Sequence, residues 1–233
     1  MRLEDLNWMD VERYLERDDR LILILGACEQ HGYLSLLTDI KIPHTLADLA
    51  SNRTGALVAP PLNFGLSPYF LAYPGTLSLG IGTMTAAVEE IVRSAYGQGF
   101  RRILVLNGHG GNEPVRVHLN AVNNHLPDLR LAWYDWWDSH AVEAVAMRHD
   151  LKPAHANWVE AFPFTLVGEL PEGSKTPPNV PSAIMDARAT RSVYGDGSFG
   201  GPYRVHDEIM EEILNAALAD VLSLLQFDAD TQS

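Results

Sequence analysis

Four apolar runs punctuate the chain and set its scaffold. Leu21-Ile22-Leu23-Ile24-Leu25-Gly26 is unbroken, as is Ile103-Leu104-Val105-Leu106 after Arg102. Runs of this length without polar alternation predict strands buried on both faces, the habit of parallel sheets. Leu57-Val58-Ala59-Pro60-Pro61 reads as a shorter strand stopped by two prolines, and Arg130-Leu131-Ala132-Trp133-Tyr134 as a fourth. Between them the apolar spacing turns helical. Helices are predicted over 5–17, over 44–53 with Pro43 near the N-terminus, over 83–97 with Thr83 as N-cap, and over about 113–125. The last, about 206–225, carries apolar residues at Ile209, Ile213, Ala216, Ala217, Leu218 and Val221. A loop rich in glycine, proline and aromatics fills 62–82.

Strands alternating with helices imply an α/β fold, a three-layer α/β/α sandwich with a mostly parallel central sheet joined by right-handed crossovers. Neither a repeat nor a linker divides residues 1–233, so one domain is expected. A hydrophobic fraction of 46% is ample for such a core. The net charge of −13 argues against a nucleic-acid partner, which would need clustered Lys and Arg. Cys28 is the single cysteine, which excludes an internal disulfide and fits a reducing compartment. The first residues lack the basic-then-apolar order of a signal peptide, and no run reaches the ~18 apolar residues of a membrane span. A soluble, cytoplasmic protein is expected.

The chemistry gathers where strands end, the edge at which open parallel sheets bind ligands. Just past the first strand come Glu29-Gln30-His31, then Asp39. Alternate residues of an extended chain face opposite sides, so Glu29 and His31 can share one side while Gln30 faces away. Past the third strand comes Asn107-Gly108-His109-Gly110-Gly111-Asn112. The first group could be an ordinary polar loop, and the second a plain strand-to-helix turn able to hold an anion. Against the first reading, a carboxylate directly after a buried strand is costly unless partnered. Against the second, a histidine between glycines is open to whatever fills the cleft, and no phosphate-loop pattern is present. Together Glu29, His31, Asp39 and His109 suggest one composite site for zinc, manganese or iron. Cys28 should point away from it as a small buried hydrophobe.

Gly26-Ala27-Cys28-Glu29-Gln30-His31-Gly32 with Thr38-Asp39, then Tyr73-Pro74-Gly75-Thr76, then the 107–112 stretch, resembles the creatininase (creatinine amidohydrolase) family. The resemblance runs in order from about 20 to 165, with a weaker match over 195–201. It implies a three-layer fold, a homohexamer, and hydrolysis of a small amide with two divalent ions, zinc foremost and manganese or iron as alternatives. By position, Glu29 and His109 would hold one ion and His31 the second, with Asp39 bridging. Two such ions can polarise a carbonyl and lower the pKa of a shared water. His155-Ala156-Asn157-Trp158-Val159-Glu160 matches a later family motif, which makes His155 the expected proton shuttle to the leaving nitrogen. Glu160 would complete the second metal site or position its water. Taken alone, His155 after Pro153 could equally be a solvated loop residue.

The chain also departs from the family pattern. Tyr33-Leu34-Ser35-Leu36 replaces the usual segment after the first histidine, and the Glu29-to-Asp39 interval is shorter. Phe70 falls where a polar residue is common, Asn157 replaces a glycine, and Gly111 and Leu151-Lys152 stand where creatininases carry substrate-binding residues. A metalloamidase of a small cyclic or formyl amide is therefore expected, with creatinine itself disfavoured. Alternatives are a peptide-end amidase, a formamide hydrolase of cofactor biosynthesis, and a metal-binding assembly protein without catalysis. Ser67 and Thr76 in the aromatic loop are available to orient a substrate. Trp136 and Trp137 could line an apolar pocket or serve as packing. Asp196 and Ser198 receive no role.

Overall fold

The computed structural model describes residues 1–228. Strands Arg20–Leu25 (β1), Leu57–Val58 (β2), Arg102–Asn107 (β3) and Arg130–Asp135 (β4) form one parallel sheet in the order β2-β1-β3-β4. β1 and β3 pair in full from Arg20↔Arg102 to Leu25↔Asn107. They therefore end level, and the two motif-bearing segments emerge side by side at one sheet edge.

Alternate strand residues feed two cores. Ile22, Ile24, Leu104 and Leu106 pack with Leu46 of helix Thr38–Thr54 (α2), Val145 of helix His140–Arg148 (α5) and Ile213 of helix Asp207–Leu224 (α7). Leu21, Leu23, Ile103 and Val105 pack on the other face with Tyr14 of helix Trp8–Leu15 (α1), Val88 of helix Ile81–Gln98 (α3) and Leu119 of helix Glu113–Asn123 (α4). The sheet is thus covered on both sides, which is why its strands read as continuous apolar runs. Each such aliphatic side chain contributes about 1.5–3 kcal/mol on burial. Helix Ala187–Tyr194 (α6) and a two-stranded antiparallel ribbon, Ser174–Lys175 (β5) with Gly201–Pro202 (β6), lie outside this scaffold.

Several boundaries differ from those predicted. α1 starts at Trp8 rather than 5, because a capping box between Asn7 and Asp10 fixes its N-terminus. α3 starts at Ile81 after Gly80, which offers no side-chain cap, so Thr83 is inside the helix and not its N-cap. α2 begins at Thr38 instead of 44, which puts Asp39 in its first turn and Pro43 within the helix. Proline has no N–H to return to the carbonyl four residues back. Here that carbonyl belongs to Asp39, and it packs against the ends of β1 and β3. A Cβ built on Gly26 would fall 2.3 Å from the Asp39 carbonyl oxygen, and one on Gly108 1.9 Å from it. Cys28 is half-buried rather than buried, its Sγ 3.4 Å from the Gly75 carbonyl oxygen. Among the described residues no helix is long and apolar enough to cross a membrane.

Candidate metal centre and its cavity

Glu29, Gln30 and His31 leave β1 as a braced segment. The Glu29 amide donates to the Leu36 carbonyl and the Gln30 amide to Thr76 Oγ1 at 3.0 Å. His31 Nδ1 lies 3.1 Å from the Glu29 carbonyl oxygen and donates there, which turns Nε2 inward; burial would lower the ring's pKa, but the charges of Asp39 and Glu160 raise it to about 10. His109 is set the same way after β3, by the opposite nitrogen. Its Nε2 lies 2.9 Å from the Leu66 carbonyl oxygen, which frees Nδ1. Asn107 accepts from the His109 amide and donates to its carbonyl, and Asn112 donates to Asn107 Oδ1. An imidazole with one nitrogen tied to a carbonyl is the arrangement a metal-ligating histidine uses.

Asp39 stands between the two rings. Its Oδ1 is 2.8 Å from His31 Nε2, and its Oδ2 is 3.0 Å from His109 Nδ1. Glu29 Oε1 approaches His109 Nδ1 at 3.3 Å, and Glu160 Oε1 approaches His31 Nε2 at 3.8 Å. Three candidate ligand triads result: Glu29-Asp39-His109 and His31-Asp39-Glu160, with Asp39 common to these two, and Glu29-His31-His155. All five side chains of the first two are buried. Three of their atoms, Glu29 Oε2, His31 Nε2 and Asp39 Oδ2, have no hydrogen bond of normal geometry despite these close approaches. Burial, together with the charges of Asp39 and Glu29, pushes the Glu160 carboxyl up to about 7 against the pull of His31. Three crowded carboxylates, two imidazoles that each turn a nitrogen inward and orphaned buried oxygens fit divalent cations.

His155 and Glu160 reach the centre from a tight turn. Ala156 adopts a φ of 54°, uncommon for a residue with a Cβ, and its amide donates to Glu160 Oε2 at 2.6 Å. Asn157 locks the turn: its Oδ1 accepts from the Val159 amide, and its Nδ2 donates to the carbonyls of Lys152 and Gly200. The residue in place of the family's glycine is therefore a clamp. The His155 ring stacks on Phe70 at 4.9 Å and packs beside His31 and Phe199. Phe70, in place of a polar residue, is thus one wall of the histidine's slot. Burial, with His31 close by, holds the His155 imidazole well below its ordinary pKa.

Gln30 holds Nε2 of His155 with both its side chain and its backbone carbonyl. The Gln30 amide cannot flip, because Oε1 accepts from the Gly32 amide at 3.0 Å and Nε2 donates to the Gly197 carbonyl at 3.2 Å. Its second N–H points to His155 Nε2 at 2.9 Å, and the Gln30 carbonyl oxygen lies 3.1 Å from the same nitrogen, so Gln30 holds the ring in either tautomer. Nδ1 is the nitrogen on the side of Glu29, 3.9 Å from Oε1. A side chain at 197 could not coexist with this arrangement, since a Cβ there would sit 1.7 Å from Gln30 Oε1.

A cavity of about 690 Å³ opens onto the centre, lined by Glu29, Asp39, His109, His155 and Glu160 among others. His31 lies behind them, fully buried. Of the residues expected to meet a substrate, Trp137 lines the cavity. Trp136 does not: it is buried in the core against Phe162. Ser67 is buried beside His109, its Oγ 3.4 Å from Nε2, and Thr76 holds the Gln30 amide, so both brace ligand segments rather than line the cavity. The walls the sequence did not reveal are Tyr69, Tyr194, Phe199 and Met185, with Lys152. Tyr194 and Phe199 stack on each other at 4.1 Å and come from α6 and the glycine-rich loop after it, neither carrying a metal-site signature. Tyr69 had a local signal, its place in the aromatic loop. Burial and the charges of Glu29 and Asp39 keep its phenol protonated.

Comparison with known proteins converges on one family. A sequence model for creatininase, creatinine amidohydrolase, matches residues 4–225. The chain is 35% identical over 135 residues to creatinine amidohydrolase of Pseudomonas putida, covering 55% of this chain and 51% of that protein. It is 36% identical over 99 residues to the mycofactocin precursor peptide peptidase of Mycolicibacterium smegmatis, 40% of each. The chain thus spans about half, or less, of the length of these curated relatives. Among solved structures, a creatininase with Mn superposes with a TM-score of 0.82 at 21% identity, over 97% of both chains. A mutant creatininase of Zn-Zn type gives 0.81 at 22%, again over 97% of both. At these identities the superpositions speak for the fold.

Proposed function

This chain belongs to the creatininase family, and on that premise we propose that it is a metal-dependent amidohydrolase cleaving a C–N bond of a small amide. The observation that carries the reading is Asp39, whose two oxygens each face one inward imidazole nitrogen. In this reading Glu29, Asp39 and His109 hold one ion, and His31, Asp39 and Glu160 a second. Zinc or manganese is expected, the metals named for the creatininase structures. Divalent ions held there would polarise an amide carbonyl and acidify water.

The chain's own groups supply the rest. His155 presents Nδ1 to the centre, where it takes up the proton it then donates to the departing nitrogen as the C–N bond breaks. Its depressed pKa keeps the ring neutral near pH 7, so it can take up a proton from the attacking water before passing one on. Phe70 and Phe199 hold the ring in place and keep bulk water from it. Tyr69, protonated and on the cavity wall, can donate a hydrogen bond to the substrate. Trp137 and the Tyr194-Phe199 stack provide flat apolar surface for the substrate's body.

A peptide-end amidase is the second reading, favoured by the mycofactocin relative and by a cavity roomier than a small ring needs. A homohexameric assembly belongs to the same proposal. The deciding experiment is metal content per chain with turnover of an amide panel, in the wild type and in Asp39→Ala. About two ions per chain and metal-dependent hydrolysis, both lost in the variant, would support the reading. Full activity in Asp39→Ala would end it.

A further inference from the structure

Lys152 lines the cavity and is the one Lys or Arg among its lining residues. Five carboxylates share that lining: Glu29, Asp39, Asp138, Glu143 and Glu160. Asp138, Glu143 and Lys152 are all exposed, and among the described residues neither carboxylate pairs with the ammonium, which forms no hydrogen bond or ion pair. Glu143 faces His140 at 3.7 Å instead. The backbone of Lys152, in contrast, is pinned. Its carbonyl accepts from Asn157 Nδ2 and from Trp158 Nε1, each at 3.1 Å. Trp158 is fully buried, and Asn157 belongs to the turn that carries His155 and Glu160. A cation is therefore tethered to the catalytic turn, with its charge left uncommitted.

Building on the amidohydrolase reading above, we propose that Lys152 receives a carboxylate on the part of the substrate away from the scissile bond. The substrate class is then an amide with a flat or apolar body and a single terminal negative charge, as at the end of a peptide or in an N-acyl amino acid. Lysine acts as a point charge on a flexible stem and suits a monoanion approaching from a range of angles. The single ammonium among the lining residues matches one negative charge. The aromatic surfaces of Trp137 and of the Tyr194-Phe199 stack accept the body, while the ammonium selects the charged end.

The test separates this recognition from catalysis. Phenylmethanesulfonate, a monoanion that ligates metals weakly, is titrated into the zinc-loaded protein beside benzyl methyl sulfone, its neutral counterpart, with tryptophan fluorescence as readout. The sulfonate should bind about threefold to fivefold more tightly, the scale of one exposed ion pair. Lys152→Met should abolish that preference, Lys152→Glu should reverse it, and Lys152→Arg should keep it. Equal affinities in the wild type, or a preference that survives in Lys152→Met, would overturn the proposal. Because binding is read without turnover, a protein that hydrolyses no amide yet shows the preference would refute the amidohydrolase reading alone. Turnover without the preference would refute this one alone.

Discussion

The side-chain nitrogen of Gln30 lies 2.9 Å from Nε2 of His155, and its amide is held from both ends so that it can only donate there. Gln30 is thus a positioning residue that fixes the histidine ring, through its side chain and through its carbonyl oxygen 3.1 Å from the same nitrogen. Gln30→Glu keeps the shape but removes the donor, and its carboxylate would draw a proton onto Nε2. We expect kcat to fall at least about tenfold, the lower part of the range for losing a well-placed proton donor, with the pH–rate profile displaced upward. Metal content should stay at the wild-type level. An unchanged pH profile would mean that Gln30 has no hold on the proton.

Two of the ligand triads share Asp39 but not Glu160. Glu160→Ala should therefore leave about one ion per chain where Asp39→Ala leaves none, in the dinuclear reading. Elemental analysis after dialysis against metal-free buffer distinguishes the two patterns. Equal losses in both variants would argue for a single ion coordinated by all five residues.

Gly108 is required by close approach, not by its backbone angles. Gly108→Ala would drive a Cβ into the Asp39 carbonyl, and overpacking of this kind costs about 1–3 kcal/mol. Because the carbonyl and the ligating carboxylate belong to one residue, bound metal should fall along with stability. Gly168→Ala, where nothing lies within 4 Å of the added methyl and no helix is capped, serves as the control and should lower neither. Denaturant titration and metal analysis on the pair provide the check.

Far from the cavity, Asp18 accepts from the Arg20 guanidinium at 2.6 Å and from Arg102 at 3.1 Å. Burial pushes its carboxyl up, but the hydrogen bonds and charges of the two arginines outweigh it and hold the group below its ordinary value. The folded pKa lies under the unfolded one, so the stabilisation is complete above the unfolded value of about 4. It disappears as the pH falls through the folded value. Asp18→Asn should cost about 1 kcal/mol at pH 7 and progressively less toward pH 2. A difference between wild type and variant that did not shrink on acidification would contradict this assignment.

What the sequence could convey depended on whether local chemistry or long-range packing was decisive. β1 and β3 were legible because burial on both faces leaves no polar alternation, and the ligand residues were legible because they follow those strands directly. The start of α2 was not. Pro43 suggested a helix beginning there, whereas packing of the Asp39 carbonyl against Gly26 and Gly108 carries the helix back to Thr38. α5 and α6 escaped notice because nine and eight residues give a helical period little room to declare itself. The cavity walls were least legible of all. Phe199 meets Phe70, His155 and Tyr194 only through tertiary structure, and of two adjacent tryptophans, Trp137 faces the cavity while Trp136 faces the core.

The contact of the Asp39 carbonyl with both strand ends also bears on how the site comes into being. Gly26 precedes Asp39 on the chain, but Gly108 arrives only after α2, β2 and α3 have been traversed. The carboxylate shared by two of the triads is therefore seated by a loop closure of long sequence separation, the slow kind of folding event. A chain that has formed β1 and α2 without pairing β3 carries the ligand residues but not their geometry. In refolding from denaturant, metal uptake should track completion of the sheet rather than the early appearance of helix.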